Sequence, residues 1–414
     1  MNYFTPFATR NFNAQLQRSL GKAYLGAASI GEVMATAADI RDANVDSWHQ
    51  AWRRLAERLE TRAEHAQAAG QQETARGLFL RAAEAWRQSC FYHRINLDCR
   101  ELQEAWPRIA ACFQGFMNLS PWSGEGMQIP YEGGTLHAYL ALPASNGRPY
   151  RTLVLPSGYD SSLEEMLVMV GLPALARGYA VLAVDGPGQG KTLYDPEIRA
   201  FMRPDFETAL KAVVDRALED SRLDPECLVA MGVSFGGYLV PRAAGGEPRL
   251  AALVADPGQY DIGSAMFARL PPNMIERLDE DSQDAHDIFE SLAQGNDGTF
   301  LFRPRMAAHG VDSVQDYCRQ LVAYHNRDAA PHITCPSLIC DNEEDAVSTG
   351  QGQLLANAMT AAEVTFQRFT KAEGAGGHCE GMGREIFDER VFAWLDDVFT
   401  EGRPDSSRPS RDRT

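Results

Sequence analysis

Several features are scarce or missing in this chain of 414 residues. No apolar stretch approaches the roughly 20 residues that a membrane-spanning helix needs, so a helical span is excluded. The amino terminus, Met1-Asn-Tyr-Phe-Thr-Pro-Phe-Ala-Thr-Arg10, lacks a charged segment followed by an apolar one, and no secretory leader is expected. Eight cysteines (Cys90, Cys99, Cys112, Cys227, Cys318, Cys335, Cys340, Cys379) stand without a C-x-x-C pair. That argues against zinc and against a disulfide framework, and it fits a reducing cytoplasm. Basic runs are also absent: the net charge is −17 and the isoelectric point about 5.0. Such acidity repels phosphate backbones and anionic lipid, which excludes nucleic acid and membrane as expected partners. No segment recurs at a fixed period, so a solenoid is not supported.

What is present reads as a folded protein, with 44% hydrophobic and 23% charged residues. Residues 1 to 45 give no clear pattern. From Ser47, apolar residues at Trp52, Leu55, Leu59 and Ala63 recur at helical spacing, and Gly70 breaks the run. Leu78, Ala82, Trp86 and Cys90 then start a second helix, and a third runs from Leu97 to Met117, interrupted by Pro107. These make a helical domain over residues 1–120. Met127 to Pro130 and Thr135 to Leu142, separated by Tyr131-Glu-Gly-Gly134, form an antiparallel hairpin.

Short buried-type runs then alternate with helical segments. With the two hairpin runs counted as first and second, the third to eighth are Thr152 to Leu155, Ala180 to Val184, Cys227 to Met231, Ala251 to Ala255, Ser337 to Cys340 and Val364 to Phe369. Helices are expected near Leu163 to Arg177, Asp205 to Ala217 and Phe387 to Phe399. This alternation predicts an α/β fold with a mostly parallel sheet covered on both faces. The core is split into 121–256 and 331–400, because about 75 residues part the sixth and seventh runs, too many for an ordinary crossover. The insertion, 257–330, mixes apolar pieces (Met266, Phe267, Leu270, Met274, Ile275) with the acidic patch Asp279-Glu-Asp-Ser-Gln-Asp284 and is expected to be a lid. The polar, proline-containing stretch 401–414 reads as a disordered tail.

The chemistry centres on Gly232-Val-Ser234-Phe-Gly236, which follows the fifth run. A serine between two glycines fits a sharp strand-to-helix turn that exposes the hydroxyl as a nucleophile. A serine nucleophile needs a histidine as base and a carboxylate to orient it. Of nine histidines, His49, His65 and His93 fall in the helical domain, His137 on the hairpin, and His286, His309, His325 and His332 within or beside the insertion. His378, in the loop Glu373-Gly-Ala-Gly-Gly-His-Cys379 after the last run, is the candidate base. Asp345 is the candidate acid; Asp341, Glu343 and Glu344 are rivals beside it, and Asp256 is the alternative after the sixth run. The oxyanion needs N–H donors, expected from Phe235 and from Tyr159 or Gly158 in the loop after Leu155.

One competing motif, Asp185-Gly-Pro-Gly-Gln-Gly190-Lys191-Thr192, ends like a phosphate-binding loop. Its register fails, because G-x-x-x-x-G-K-[ST] needs glycine where Asp185 stands, and Tyr194-Asp-Pro196 cuts short the helix that would hold phosphate.

In the order Ser234, Asp345, His378, the region from about 127 to 400 resembles an α/β-hydrolase. The helical amino-terminal part, Asp185-Gly-Pro-Gly-Gln-Gly190, Ala255-Asp-Pro-Gly-Gln-Tyr-Asp261 and Glu373-Gly-Ala-Gly-Gly-His-Cys-Glu380 resemble the subgroup of 2,6-dihydroxypseudooxynicotine hydrolase and the hydrolases of fusarin-type biosynthetic clusters. The resemblance implies an α/β-hydrolase fold with a helical amino-terminal domain and an inserted lid, no metal or organic cofactor, and a homodimer. It also implies a small-molecule carbonyl substrate, an ester, thioester or ketone carbon–carbon bond. The alternatives are acyl transfer or cyclisation in a natural-product pathway, and a non-catalytic binding protein on the same scaffold. Two departures stand out: Pro241, expected to disturb the helix after Ser234 near Gly237, and an insertion long for the subgroup.

Overall fold

The structure is a computed structural model and describes residues 5–145 and 147–401. Its helical beginning contains α1 (Arg10–Leu20), α2 (Ile30–Ala38), α3 (Val45–Ala68), α4 (Gln72–Cys90) and α5 (Arg100–Asn118). The first two lie in the stretch where the sequence shows no clear pattern. Asn44 caps α3 by accepting the Ser47 amide at 2.7 Å, satisfying a donor that the helix leaves free. The third helix was expected to break at Pro107, yet α5 runs through it, with that residue on its exposed side. Its opposite side buries Leu102, Ala105, Ile109, Phe113 and Phe116, and this packing outweighs the bond that proline removes.

Among the described residues eight strands form one sheet in the order β1-β2-β4-β3-β5-β6-β7-β8. They are β1 (Ser123–Tyr131), β2 (Gly134–Leu142), β3 (Tyr150–Pro156), β4 (Ala180–Asp185), β5 (Leu223–Val233), β6 (Ala252–Asp256), β7 (Ser337–Asn342) and β8 (Val364–Phe369). β1 and β2 are the predicted hairpin, β2 meets β4 antiparallel, and all later pairings are parallel.

The two faces of the sheet carry separate cores, set by the two-residue alternation of a strand. Leu153, Leu155, Val229, Met231 and Val254 share a core with Trp48, Trp52 and Phe113 of the helical beginning. Val154, Leu182, Ala230, Leu253 and Ile339 share the other with α9 (Glu207–Leu218), α10 (Gly236–Ala244) and the insertion. Thus the amino-terminal helices wrap one face and join its core.

The remaining helices connect strands. Between β3 and β4 lie α6 (Leu163–Met166), a π-turn over Leu167–Gly171, and α7 (Leu172–Ala176); α8 (Gly190–Tyr194) follows β4. The insertion between β6 and β7 carries α11 (Ile262–Phe267), α12 (Pro272–Glu276), α13 (Gln283–Glu290), α14 (Gly295–His309) and α15 (Val314–Leu321). α16 (Gln351–Ala358) separates β7 from β8, and α17 (Arg384–Glu401) closes the chain. The expected tail lies outside the described residues beyond Glu401, which ends α17. Because β3 to β8 are parallel, the loops after Pro156, Asp185, Val233, Asp256, Asn342 and Phe369 all open on one edge. Every candidate site residue sits in those loops or at a strand end beside them.

Candidate active site

Ser234 sits at the turn between β5 and α10 with φ of 58°, a left-handed conformation that costs a side-chain-bearing residue about 1–2 kcal/mol. Hydrogen bonds fix it there. Its amide donates to the Asp256 carbonyl at 2.7 Å, and its carbonyl accepts from the Gly237 amide at 2.8 Å and from Gln259 Nε2 at 2.6 Å. At Gly232 a Cβ would lie 2.0 Å from the Gly236 carbonyl oxygen, so the tight turn demands glycine. Gly236 is different: a Cβ there would meet nothing closer than 3.8 Å. The second steric requirement falls instead on Gly237, where a Cβ would lie 2.0 Å from the Pro257 carbonyl oxygen.

Pro241 does not break α10. The carbonyl it leaves without an intrahelical partner is that of Gly237, and the Gln259 amide takes it at 3.1 Å. The segment after β6 therefore replaces the missing helix bond and at the same time holds the Ser234 carbonyl.

His378 and Asp345 converge on this turn. Ser234 Oγ lies 2.8 Å from His378 Nε2, and His378 Nδ1 lies 3.0 Å from Asp345 Oδ2. The Asp345 side chain is 2% exposed and the His378 side chain 31%. Burial alone would raise the Asp345 carboxyl, but the His378 ring, the Ser348 hydroxyl and the Val347 amide lower it to about 2. It is thus an anion at neutral pH. Burial works against a charged His378, yet its pKa is raised well above the usual value by Cys379 and Asp345. Burial also raises the Cys379 thiol. Of these two neighbours only the carboxylate is charged near neutrality, so Asp345 is the group that holds the imidazole basic.

The other carboxylates are placed elsewhere. Glu343 accepts the Lys371 amide at 2.7 Å through its side chain and the Gly377 amide at 2.7 Å through its carbonyl, bracing the histidine loop. Glu344 pairs with Lys371 at the surface, and Asp341 makes no bond to His378 among the described residues. Asp256, the alternative acid, meets Arg384 at 2.6 Å instead. Glu380 shares that same guanidinium nitrogen at 2.5 Å. Burial and the neighbouring Asp256 raise Glu380 well above the carboxylate range.

The loop after β3 faces the turn. A Cβ on Gly158 would come within 3.5 Å of the Ser234 Cβ. The Gly158 amide, one of the expected donors, is taken by Ser161 Oγ at 2.7 Å. Among the described residues no acceptor meets the amides of Tyr159 or Phe235. The loop is held from three directions. Arg94 donates to the Tyr159 carbonyl at 3.3 Å and to Asp160 Oδ1 at 2.8 Å, and Arg18 donates to the Asp160 carbonyl at 3.2 Å. The Tyr159 hydroxyl meets His309 of the insertion at 2.6 Å. Sequence reasoning placed His309 only within the insertion; no local signal marks it, since 150 positions separate the pair.

Asp185 supplies the third support and resolves the competing motif. Its carboxylate accepts Ser157 Oγ at 2.7 Å, the Leu163 amide at 2.8 Å and the Lys191 amide at 2.8 Å. Burial, then the nearby Glu164, push its pKa up to about 7. Gly190, with φ of 40°, lets the backbone wrap so closely that a Cβ would fall 2.1 Å from Asp185 Oδ2. The Lys191 amide that a bound phosphate would require is already engaged by Asp185. As to metals, the described residues bring together one set of donors, His93, Cys99 and Glu101, half-buried in the helical part, and none of the three belongs to the Ser234 cluster.

Residues 153–388 match the alpha/beta hydrolase family, and the chain belongs to that family. It is a hydrolase of the subgroup that its motifs resemble. It is 35% identical to the 20-hydroxy-prefusarin hydrolase FUS2 of Gibberella moniliformis, over 95% of this chain and 97% of the relative. It is 32% identical to the hydrolase LUC6 of a Fusarium species, again over 95% and 97% of the two chains. The fold matches the crystal structure of 2,6-dihydroxy-pseudo-oxynicotine hydrolase with a TM-score of 0.72 at 23% identity, covering 92% of this chain and 96% of that one.

Proposed function

We propose that this hydrolase is serine-dependent and acts on a small carbonyl compound, an ester, a thioester or a ketone cleaved at a carbon–carbon bond. The observation that carries the reading is the continuous bonded chain Ser234 Oγ, His378 Nε2, His378 Nδ1, Asp345 Oδ2. In the reaction His378 takes the Ser234 proton as Oγ attacks the carbonyl carbon. The charge then appearing on the carbonyl oxygen is met by the Phe235 and Tyr159 amides, which have no other acceptor among the described residues. His378 next returns the proton to the leaving group, and water repeats the sequence to release the acid. For a carbon–carbon bond the returned proton goes to the departing carbon. FUS2 is named for a small-molecule substrate, 20-hydroxy-prefusarin, which supports a small-molecule substrate here.

The test is fluorophosphonate labelling. Wild-type protein is expected to be labelled at Ser234, and Ser234→Ala to be unlabelled with an unchanged melting temperature and circular dichroism. Turnover of any substrate found should fall by at least about 10³-fold in that variant. A wild-type protein that resists labelling while folded would overturn the reading.

A further inference from the structure

His309, the last residue of α14, is 3% exposed and has both ring nitrogens engaged. Nδ1 lies 2.7 Å from Gln320 Oε1, and Nε2 lies 2.6 Å from the Tyr159 hydroxyl. Burial keeps the ring neutral, pushing its pKa down to about 4 against the opposing bond to Gln320, and Arg305 acts in the same direction as burial. A neutral imidazole has one N–H. The Gln320 carbonyl oxygen can only accept, so the network assigns the proton to Nδ1. Nε2 is then an acceptor, and Tyr159 donates to it.

This bond reaches the two residues whose amides are the proposed oxyanion donors, through their own side chains. The rings of Tyr159 and Phe235 stack with centroids 3.9 Å apart and planes at 37°. Tyr324 closes the group, 5.9 Å from Phe235 and 5.2 Å from His309. Tyr317 stands edge-on to His309 at 5.0 Å. A shift of the Tyr159 ring therefore moves Phe235 with it, and both residues carry a proposed donor amide on their backbone.

We propose that His309 is a positioning residue: through the Tyr159 hydroxyl and the stacked Phe235 ring it fixes the spacing of the two amides that receive the oxyanion. The inference rests on the reading of Ser234 as nucleophile. It gives the insertion a part in the chemical step. The amides carry their full load only when charge develops on the substrate oxygen, so the effect belongs to the rate of the bond-forming step and not to binding.

The experiment uses a fluorophosphonate on the full chain, separating the maximal phosphonylation rate at Ser234 from the concentration giving half of it. Tyr159→Phe, which removes one oxygen, and His309→Phe, which keeps a ring but loses the acceptor, should each slow the maximal rate about 10- to 100-fold. The half-saturating concentration should stay within about twofold of the wild type. The double variant should be no slower than the slower single one, because both cut the same bond. His309→Gln, which offers a carbonyl oxygen to Tyr159, should recover most of the rate. Should His309→Phe misfold, Tyr159→Phe decides alone. Wild-type rates in Tyr159→Phe, or additive losses in the double variant, overturn this inference and leave the Ser234 reading intact. Absence of wild-type labelling overturns both.

Discussion

At the scale of single residues, Asp345 controls how His378 titrates. In the proposed mechanism His378 must be neutral to take the Ser234 proton, and Asp345 raises the pKa at which neutrality is reached. The phosphonylation rate should therefore rise with pH through one ionisation lying above the ordinary imidazole value of about 6.5. In Asp345→Asn the raising charge is gone, so the midpoint should move to lower pH. The plateau should drop by up to about 10⁴-fold, because the amide no longer selects the productive tautomer. A pH–rate profile with an unmoved midpoint would count against Asp345 as the partner. That Ser234, Asp345 and His378 share one edge of the sheet was legible in the sequence, because each stands at or just after a strand end or in a glycine-rich loop. Gly237 was not, since the carbonyl it accommodates belongs to Pro257 and only the folded chain brings them together.

At the scale of elements, the strands were legible from their apolar runs, and each expected run falls on a strand, only Ala251 lying one residue outside β6 (Ala252–Asp256). The behaviour of the helices at proline was not. Whether proline ends a helix depends on what takes the carbonyl it frees, and at α10 that is the Gln259 amide. Asn326 reinforces the junction, its side-chain amide donating to the carbonyls of Gln259 at 2.8 Å and Tyr238 at 3.2 Å. The helix α10 is thus tied to the segment after β6 and to the end of the insertion. Gln259→Leu removes the donor to the Ser234 carbonyl and should cost about 1–3 kcal/mol in chemical unfolding. It should also slow labelling at Ser234, because that carbonyl helps hold the left-handed turn. An unchanged unfolding midpoint with an unchanged labelling rate would refute the role.

At the scale of the whole molecule, a buried ion cluster fastens the amino-terminal helices to α6. Glu165, with a fully buried side chain, meets Arg18 at 2.5 Å, Lys22 at 2.6 Å and Arg87 at 3.4 Å. Glu84 meets Lys22 at 2.6 Å and Arg87 at 2.8 Å. Burial opposes ionisation of both carboxylates, but the cations outweigh it: Glu84 is lowered to about 2, and Glu165 is lowered as well. Burial and Arg87 lower Lys22, so the stabilisation resides with the carboxylates. Their contribution is complete above the unfolded carboxyl value of about 4.3 and is lost as pH falls through the folded value. Glu165→Gln leaves three cations facing one carboxylate and should cost on the order of 3–5 kcal/mol near neutrality. Its melting temperature should also fall less steeply than that of the wild type between about pH 5 and 2. Equal slopes would show that the cluster carries no linkage. None of this was legible in the sequence, because Glu84 and Glu165 look like ordinary helix-surface acids until the two segments meet. The order of the site residues along the chain has a consequence for synthesis. The Ser234 turn and the loop after β3 are made long before β7 and β8 bring Asp345 and His378, so under the proposed mechanism a growing chain carries an inert serine. On that mechanism labelling at Ser234 is expected only once the far edge of the sheet has docked, so it would report that folding has finished.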